Sequence, residues 1–182
     1  MLNVFKLWIT KDKVLEKIPL ITDLDINCLL KDFSRIKELD KNTRAALSRS
    51  LTIRHLDTGS CNAEEAELIA LSNPFYDISR FGIEFTASPR HADVLTVTGP
   101  LTRHLKIAME KTYNAMPHPK IVVAIGDGAC NGSIYENTYA CLGKVNQFLP
   151  VDFYIPGDPP TPEEILKGFL VCKLLLAQKE AS

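Results

Sequence analysis

Three short segments of the chain carry side chains that could do chemistry. They read "DTGSCNAEE" (57–65), "GDGACNGS" (126–133) and "PGDPPTP" (156–162). Cys61 and Cys130 offer thiolates, and Glu64 and Asp158 offer carboxylates. Thiolates and carboxylates both bind zinc and iron in proteins, so these segments would support a mixed metal site if they met in space.

Each of these segments directly follows a predicted β-strand. The sequence predicts four strands, "LTIRHLD" (51–57), "DVLTVTG" (93–99), "KIVVAIG" (120–126) and "VDFYIPG" (151–157). The third is almost wholly apolar, which is typical of a strand buried on both faces of a sheet. Ligand sites in parallel sheets lie outside the carboxyl ends of the strands, so we expect the three segments to converge. Their convergence would bring together Cys61, Glu64, Gly128, Cys130 and Asp158.

Helical patterns separate the predicted strands. They cover the segment that begins at Cys61, residues 101–116, residues 136–145 and a final helix that begins at "TPEEIL". In this last helix Thr161 is a good N-cap, Pro162 suits the first helical position and Glu164 completes a capping box. Strands that alternate with helices predict an α/β fold, with a mainly parallel four-stranded sheet and helices on both of its faces.

Composition and charge narrow the class of protein. The chain has 182 residues, of which 46% are apolar, and a formal net charge of -1. This is the composition of a globular domain, and the lack of a basic excess argues against nucleic acid as a partner. The five cysteines include no C-x-x-C pair, which favours a reducing compartment over a disulfide framework. The sequence predicts neither a signal peptide nor a membrane span, since Lys173 interrupts the longest apolar run.

The first 49 residues form a separate region in this prediction, and residues 50–182 form one domain. Within residues 1–19 an apolar stripe that includes Phe5, Trp8 and Ile9 recurs at helical spacing beside several lysines. Such an amphipathic segment can pack on a membrane surface, on a partner subunit or on its own domain, and the sequence leaves these alternatives open. Residues 22–50 are also periodic, so the region is predicted to be an N-terminal helical extension.

Between about residues 50 and 170 the chain resembles the twenty-kilodalton subunit of NADH-quinone oxidoreductase (complex I). It is similar above all to the corresponding small subunit of membrane-bound, energy-converting [NiFe] hydrogenases. The resemblance rests on the order and spacing of "DTGSCN", "YDISRFG" (76–82), "SPRHADVLTVTGPLT" (88–102), "MPHPKIVVAIG" (116–126), "LPVDFYIPG" (149–157) and "PPTPEEILKG" (159–168). It implies a flavodoxin-like fold whose three loops hold one [4Fe–4S] cluster, the last electron carrier before quinone or beside the NiFe centre.

Such a cluster normally needs four thiolates, because soft sulfur donors stabilise the iron–sulfur core. Carried over residue by residue, the ligand positions of the family fall on Cys61, Glu64, Gly128 and Asp158. Only the first is a cysteine, so the resemblance implies that three of the four ligands are lost. Cys130 lies two residues beyond the third position, out of register, and could still reach the pocket.

Two hypotheses follow for this pocket. In the first, the cluster is absent, because one thiolate, or two with Cys130, cannot hold a conventional cubane. In the second, Cys61, Glu64 and Asp158 form a rebuilt site for zinc or iron, helped by Glu65 or Cys130.

A third hypothesis is that Glu64 and Asp158 only replace lost cysteine ligands and form ion pairs with nearby cationic side chains. Buried carboxylates need such partners, and Arg80 and Arg90 are the candidates. In complex I relatives the R-F-G stretch lies near the cluster and the quinone cavity, so Arg80 is expected near the site. Without a cluster, we expect Arg80 to neutralise Glu64 or Asp158.

The resemblance implies a peripheral subunit on the cytoplasmic side of a membrane complex, not catalytic by itself within an oxidoreductase-like assembly. The expected partners are a large subunit, of the hydrogenase type or like the forty-nine-kilodalton subunit of complex I, and membrane ion-translocating subunits. With a degenerate cluster site, the expected role is structural coupling between them. Two alternatives stay open: an electron-transfer subunit with an unusual iron–sulfur cluster or single metal, and a free-standing flavodoxin-like binding module.

Overall fold

The computed structural model describes residues 48–136 and 138–181. The helical extension predicted over residues 1–49, with its amphipathic stripe, therefore lies almost wholly outside the described residues. Within the described ranges, no helix combines the length and the apolar character that crossing a membrane requires.

A five-stranded parallel sheet forms the centre of the domain. The described residues contain the strands β1 (Leu51–Asp57), β2 (Ile83–Phe85), β3 (Val94–Thr98), β4 (Leu101–Thr102), β5 (Ile121–Ile125), β6 (Cys141–Gly143) and β7 (Phe153–Ile155), of which five form this sheet. The sheet has the order β2-β1-β3-β5-β7, while β4 and β6 form a separate antiparallel pair. This is the 2-1-3-4-5 order of flavodoxin-like sheets, so the predicted fold class is confirmed.

Helices cover both faces of the sheet. They are α1 (Ala63–Ala70), α2 (Lys106–Ala115), α3 (Gly126–Asn131) and α4 (Pro162–Ala181). Short 3-10 segments lie at Ile78–Phe81, Pro89–His91, Ser133–Tyr135 and Val145–Gln147. The predicted capping box starts α4: the Thr161 backbone N–H donates to Glu164 Oε2 at 2.9 Å, and the Glu164 N–H donates to Thr161 Oγ1 at 3.4 Å.

Two hydrophobic cores lie on opposite faces of the sheet, because alternate residues of a strand point to opposite sides. Every residue of β3 and β5 is buried. Val123 joins the core that contains Leu68 of α1 and Phe169 of α4. Its neighbour Ala124 joins the other core, with Met109 of α2. The apolar run of β5 therefore has the two-sided burial that its sequence predicts.

The structure corrects three details of the sequence prediction. The sheet has a fifth strand, because Ile83–Phe85 pairs with the first half of β1; three residues are too few to show a periodicity. The helix predicted over 136–145 is wrong, since Cys141–Gly143 forms β6 and packs Leu142 on the second core. The helix predicted over 101–116 begins only at Lys106, because residues 101–102 pair with β6 as β4.

Gly168 of α4 packs closely on β7, where a side chain would press on Ile155 and Phe153. An added β-carbon would lie 3.0 Å from Ile155 Cγ1 and 3.3 Å from Phe153 Cε1. Alanine normally stabilises a helix by about 1 kcal/mol relative to glycine, but overpacking a core costs about 1–3 kcal/mol. We expect Gly168→Ala to lower the free energy of unfolding, as measured by chemical denaturation.

Ile155→Val supplies the matched control for this prediction, because valine lacks the Cδ1 atom that the new carbon would meet first. The double variant should recover most of the lost stability. A Gly168→Ala variant that is as stable as the unchanged protein would contradict the close packing of α4 on β7.

Candidate functional site

The loops that follow β1, β3, β5 and β7 meet at one edge of the sheet. We call this the carboxyl edge and define it as residues 57–65, 98–102, 126–130 and 156–161. The Thr58 N–H donates to Thr98 O at 3.0 Å. The Asp127 N–H donates to Gly157 O at 2.8 Å, and the Gly157 N–H donates back to Asp127 Oδ1 at 2.9 Å. The loop after β3 therefore lies at the same edge as the loops after β1, β5 and β7, which carry the candidate site residues predicted from the sequence.

Glu64 lies in the first turn of α1 and is buried, with 3% of its surface exposed. Its side chain packs beneath Gly126, where an added β-carbon would lie 2.8 Å from Glu64 Cγ. Glu64 Oε2 is buried and has no hydrogen-bond partner among the residues that the structure describes. Burial, and then the charges of Glu65, Asp158 and Asp57, raise the pKa of the Glu64 carboxyl above its ordinary value, against a hydrogen bond to its own backbone.

Gly128 lies in α3, at the third ligand position that the resemblance implies. It has no donor atom in its side chain and no space for one. An added β-carbon would lie 2.9 Å from Pro100 Cδ and 3.0 Å from Gly99 Cα. The turn after β3 therefore covers Gly128 directly.

Cys61 and Asp158, at the first and fourth implied positions, are both exposed. Cys61 precedes α1, and Asp158 follows β7. The charge of Asp158 acts on the Glu64 carboxyl, so these two acids lie within electrostatic reach of each other. Cys61, Glu64 and Asp158 thus all lie at the carboxyl edge, with Cys61 and Asp158 at its surface.

The thiol of Cys130 is directed at the backbone of the sheet. Its Sγ lies 3.6 Å from Ala124 O and 3.9 Å from Ile155 O. Burial, and then the charge of Asp127, raise the pKa of this thiol to about 11.

The two arginines expected to neutralise the acids, Arg80 and Arg90, are at the surface. Arg80 is exposed, and its guanidinium lies 4.7 Å from the centre of the Phe81 ring. Arg90 is exposed as well. Within residues 48–136 and 138–181, neither arginine forms an ion pair with Glu64 or Asp158.

Glu65 is the centre of a hydrogen-bond network at the carboxyl edge. Ser60 Oγ donates to Glu65 Oε2 at 2.5 Å, and the Thr98 hydroxyl donates to Glu65 Oε1. His55 Nε2 lies 3.5 Å from Glu65 Oε1, and burial outweighs this attraction and lowers the pKa of His55. The network joins β1, the first loop and β3. No spacing in the sequence marks it, because its members come from separate elements.

The cluster that the resemblance implies does not fit the residues at this edge. A cubane takes four thiolates, and only Cys61 offers one at an implied ligand position. Gly128 lacks both donor and space, and Cys130 points at backbone carbonyls. In the part of the chain that the structure describes, no three His, Cys, Asp or Glu side chains come together as a metal site.

Comparison with known proteins places the fold and the loops in a family context. Residues 61–172 match the family described as NADH ubiquinone oxidoreductase, 20 Kd subunit. The chain is 40% identical over 132 residues to "Probable membrane-bound hydrogenase subunit mbhJ" of Pyrococcus furiosus, covering 72% of this chain and 79% of that one. It is also 40% identical over 133 residues to formate hydrogenlyase subunit 7 of Escherichia coli, covering 73% of this chain and 52% of that one.

A solved structure also resembles this chain in fold and sequence. A chain in the structure of the membrane-bound sulfane sulfur reductase, an archaeal respiratory membrane complex, superposes with a TM-score of 0.65 at 30% identity. The superposition covers 79% of this chain and 80% of that chain. Because the family match covers residues 61–172, more than half of the chain, this chain belongs to the family described as NADH ubiquinone oxidoreductase, 20 Kd subunit.

Proposed function

We propose that this chain is a peripheral small subunit, on the cytoplasmic side, of a membrane-bound complex related to complex I and energy-converting hydrogenases. It works there without a conventional [4Fe–4S] cluster. The observation that carries the proposal is the carboxyl edge, where Glu64, Gly128 and Asp158 stand at the ligand positions that the resemblance implies. A buried carboxyl, a glycine without space and an exposed acid cannot supply the thiolates of a cubane.

The role that remains is mechanical coupling. The Glu65 network and the Asp127–Gly157 pair hold the loops of the edge together through protein contacts alone. The subunit is then a rigid body between the membrane ion-translocating subunits and a large subunit, of the hydrogenase type or like the forty-nine-kilodalton subunit of complex I. Relatives that are named as subunits of membrane-bound hydrogenase and of a respiratory membrane complex support this assignment.

An exposed apolar segment after α3 supports docking to a partner. Ile134 is 84% exposed and Tyr139 is 92% exposed, with Tyr135 between them at 47%. Large apolar side chains grouped at a surface mark interaction sites more often than isolated ones do. We propose that this segment contributes to an interface with a partner subunit of the complex.

A second candidate is an electron-transfer subunit with an unusual iron–sulfur cluster or a single metal. Glu64 Oε2, which has no partner in the described ranges, favours it together with the charge of Asp158, because a cation would compensate both carboxylates. The absence of a third converging ligand in the described ranges favours the cluster-free function. A free-standing binding module would instead be a monomer that retains a small molecule.

Metal content separates the first two functions. We expect the full-length protein, purified under strict anaerobiosis, to contain neither stoichiometric iron nor acid-labile sulfide. Cys61→Ala and Asp158→Ala should leave the metal content unchanged. Stoichiometric iron, with or without sulfide, that either substitution removes would establish the second candidate instead.

Co-purification tests the assignment of partners. We expect the tagged chain to recover a large subunit and membrane subunits from solubilised membranes of its own cells. Ile134→Ser together with Tyr139→Ser should lower this recovery about tenfold, which corresponds to about 1.4 kcal/mol of interface energy. Ile107→Ser, an exposed apolar position on α2, is the matched control and should leave it unchanged. Recovery of the chain as a monomer without other subunits would contradict the proposed partners.

The raised pKa of Glu64 makes the stability of the subunit depend on pH. The folded chain holds this proton more tightly than the unfolded chain does, so the stability that Glu64 contributes is present below its ordinary pKa of 4.5. This contribution is lost as the pH rises through the folded-state pKa. We expect Glu64→Gln to raise the free energy of unfolding near pH 8 by on the order of 1 kcal/mol, since it removes a buried charge.

The difference between Glu64→Gln and the unchanged protein should shrink as the pH falls towards 4. Urea denaturation at a series of pH values measures it. Glu67→Gln, on the same helix but only partly buried, is the control and should show no such trend. A Glu64→Gln variant whose advantage is the same at pH 4 and pH 8 would be inconsistent with a raised pKa.

A further inference from the structure

Strand β1 extends beyond the neighbour that pairs with it at the outer side of the sheet. Its pairing with β2 ends at Ile53 and Phe85, and the Thr86 N–H donates to Ile53 O at 2.8 Å. Its pairing with β3, on the other side, continues to the end of the strand at Asp57. Within the ranges that the structure describes, no strand therefore pairs with residues 54–57 on the side of β2. We call residues 54–57 the open edge of β1.

Two residues of the open edge direct their backbone groups away from the sheet. Thr52 O and the Thr58 N–H bond to the side of β3, whereas Ile53 O bonds to the side of β2. Alternate residues of the strand thus bond to opposite neighbours, and His55 and Asp57 turn their N–H and C=O groups outward. Unpaired backbone groups along an edge strand are a template for pairing with another strand.

A groove of about 450 Å³ lies along the open edge. Arg54 and His55 both line it, although consecutive side chains of a strand point to opposite faces of a sheet. A groove that reaches both side chains must lie beside the strand and not over one face. Its other walls include Glu65, Leu68 and Ile69 of α1 and Phe85 of β2, and none of the implied ligand positions lines it.

The walls of this groove are apolar, with one cation that lacks an acceptor. Ile69 is 72% exposed and Phe85 is 38% exposed. Arg54 Nε is buried without a hydrogen-bond partner, and Arg54 forms no ion pair among the described residues. Burying a polar group without a partner costs free energy, so an occupant that brings a carboxylate to Arg54 would offset this cost.

The charges of the groove also place that carboxylate. Glu65 lies beside His55, and Asp57 ends the strand, so the groove is acidic towards the carboxyl edge. Arg54 lies three residues before Asp57, which is about 10 Å along an extended chain. An acid of the occupant is therefore attracted at the Arg54 end and repelled at the Asp57 end.

We propose that an extended segment of a partner subunit pairs with the open edge of β1 as a further strand. Its backbone bonds to His55 and Asp57, an acidic side chain reaches Arg54, and an apolar side chain packs on Ile69 and Phe85. In such strand addition the main-chain hydrogen bonds give affinity and the side-chain pockets give specificity.

The two faces of the sheet constrain the sequence of this segment. Arg54 and helix α1 lie on opposite faces, because Arg54 is next to Ile53 in the strand and Ile53 belongs to the core that α1 covers. The acidic and the apolar residue of the segment are therefore an odd number of positions apart. This inference rests on the proposed function, since it needs a partner subunit, and it names how that partner is held.

Hydrogen–deuterium exchange of the unchanged protein, read at single-residue resolution by mass spectrometry, tests the open edge. In the isolated full-length chain we expect the His55 and Asp57 amides to exchange much faster than those of Arg54 and Leu56, which face β3. In the complex recovered from membranes, the His55 and Asp57 amides should exchange about tenfold more slowly, while the other two stay as they are. Slow exchange of His55 in the isolated chain would overturn the proposal.

Charge reversal tests the acidic side chain. Arg54→Glu should lower the recovery of partner subunits from solubilised membranes about tenfold, because it sets a carboxylate against the incoming acid. Arg54→Lys keeps the charge and should retain most of the recovery. Lys111→Glu, an exposed cation on α2, is the matched control and should leave it unchanged. Equal recovery with Arg54→Glu and Lys111→Glu would overturn the proposed contact. The exchange experiment needs no substitution, so it decides the case even where Arg54→Glu fails to fold.

The proposed function and this inference fail in different ways. Recovery of the chain without other subunits would refute the complex, and the inference would fall with it. Recovery of those subunits, with His55 and Asp57 still exchanging fast, would refute strand addition and leave the complex standing. Protection of these amides in a dimer of this chain alone would assign the open edge to a second copy, and would also overturn the proposal.

Discussion

The burial of β3 and β5 on both faces is the constraint on which the rest of the structure depends. Every residue of these two strands is buried, and successive residues feed two different cores. Only helices on both faces can cover such a sheet, and each crossover helix returns the chain to the same starting edge. All the connecting loops that carry chemistry therefore leave from the opposite edge. The carboxyl edge follows from this packing.

Two adjacent glutamates at this edge have opposite environments. Glu65 receives hydrogen bonds from the Ser60 and Thr98 hydroxyls and lies beside His55. Glu64 packs beneath Gly126, and one of its carboxyl oxygens has no partner in the part of the chain that the structure describes. A rotation of about 100° per residue along the helix separates them, which is enough to direct one carboxylate to hydroxyl donors and to bury the other. The buried carboxyl of Glu64 and the hydrogen-bonded carboxylate of Glu65 are thus neighbours in the sequence.

The residues that make this chain a member of the family are not the residues that would bind the family's cluster. The sheet order, the capping box of α4 and the glycine-lined loops belong to the fold. A fold can host different functions, because the function resides in particular side chains at the site. At the ligand positions that the resemblance implies, this chain holds Glu64, Gly128 and Asp158. Family membership therefore supports the place of the subunit in a complex more strongly than it supports electron transfer.

The sequence by itself determined the fold class, the strands β1, β3, β5 and β7, the start of α4 and the loops that converge. These features depend on local periodicity, on capping residues and on a topological rule, all of which can be read along the chain. The sequence alone also shows that three of the implied ligand positions lack cysteine, because this depends only on which residue stands at each position. The tertiary structure alone decided what surrounds those positions. The three-residue strand β2 and the pairing of β4 with β6 depend on contacts between distant segments, which leave no periodic pattern.

The direction of the Cys130 thiol, the contact of Arg80 with the Phe81 ring and the burial of Glu64 depend on which faces of the neighbouring elements meet the sheet. The approach of Pro100 to Gly128 is a distance between two loops, and no residue spacing within either loop encodes it.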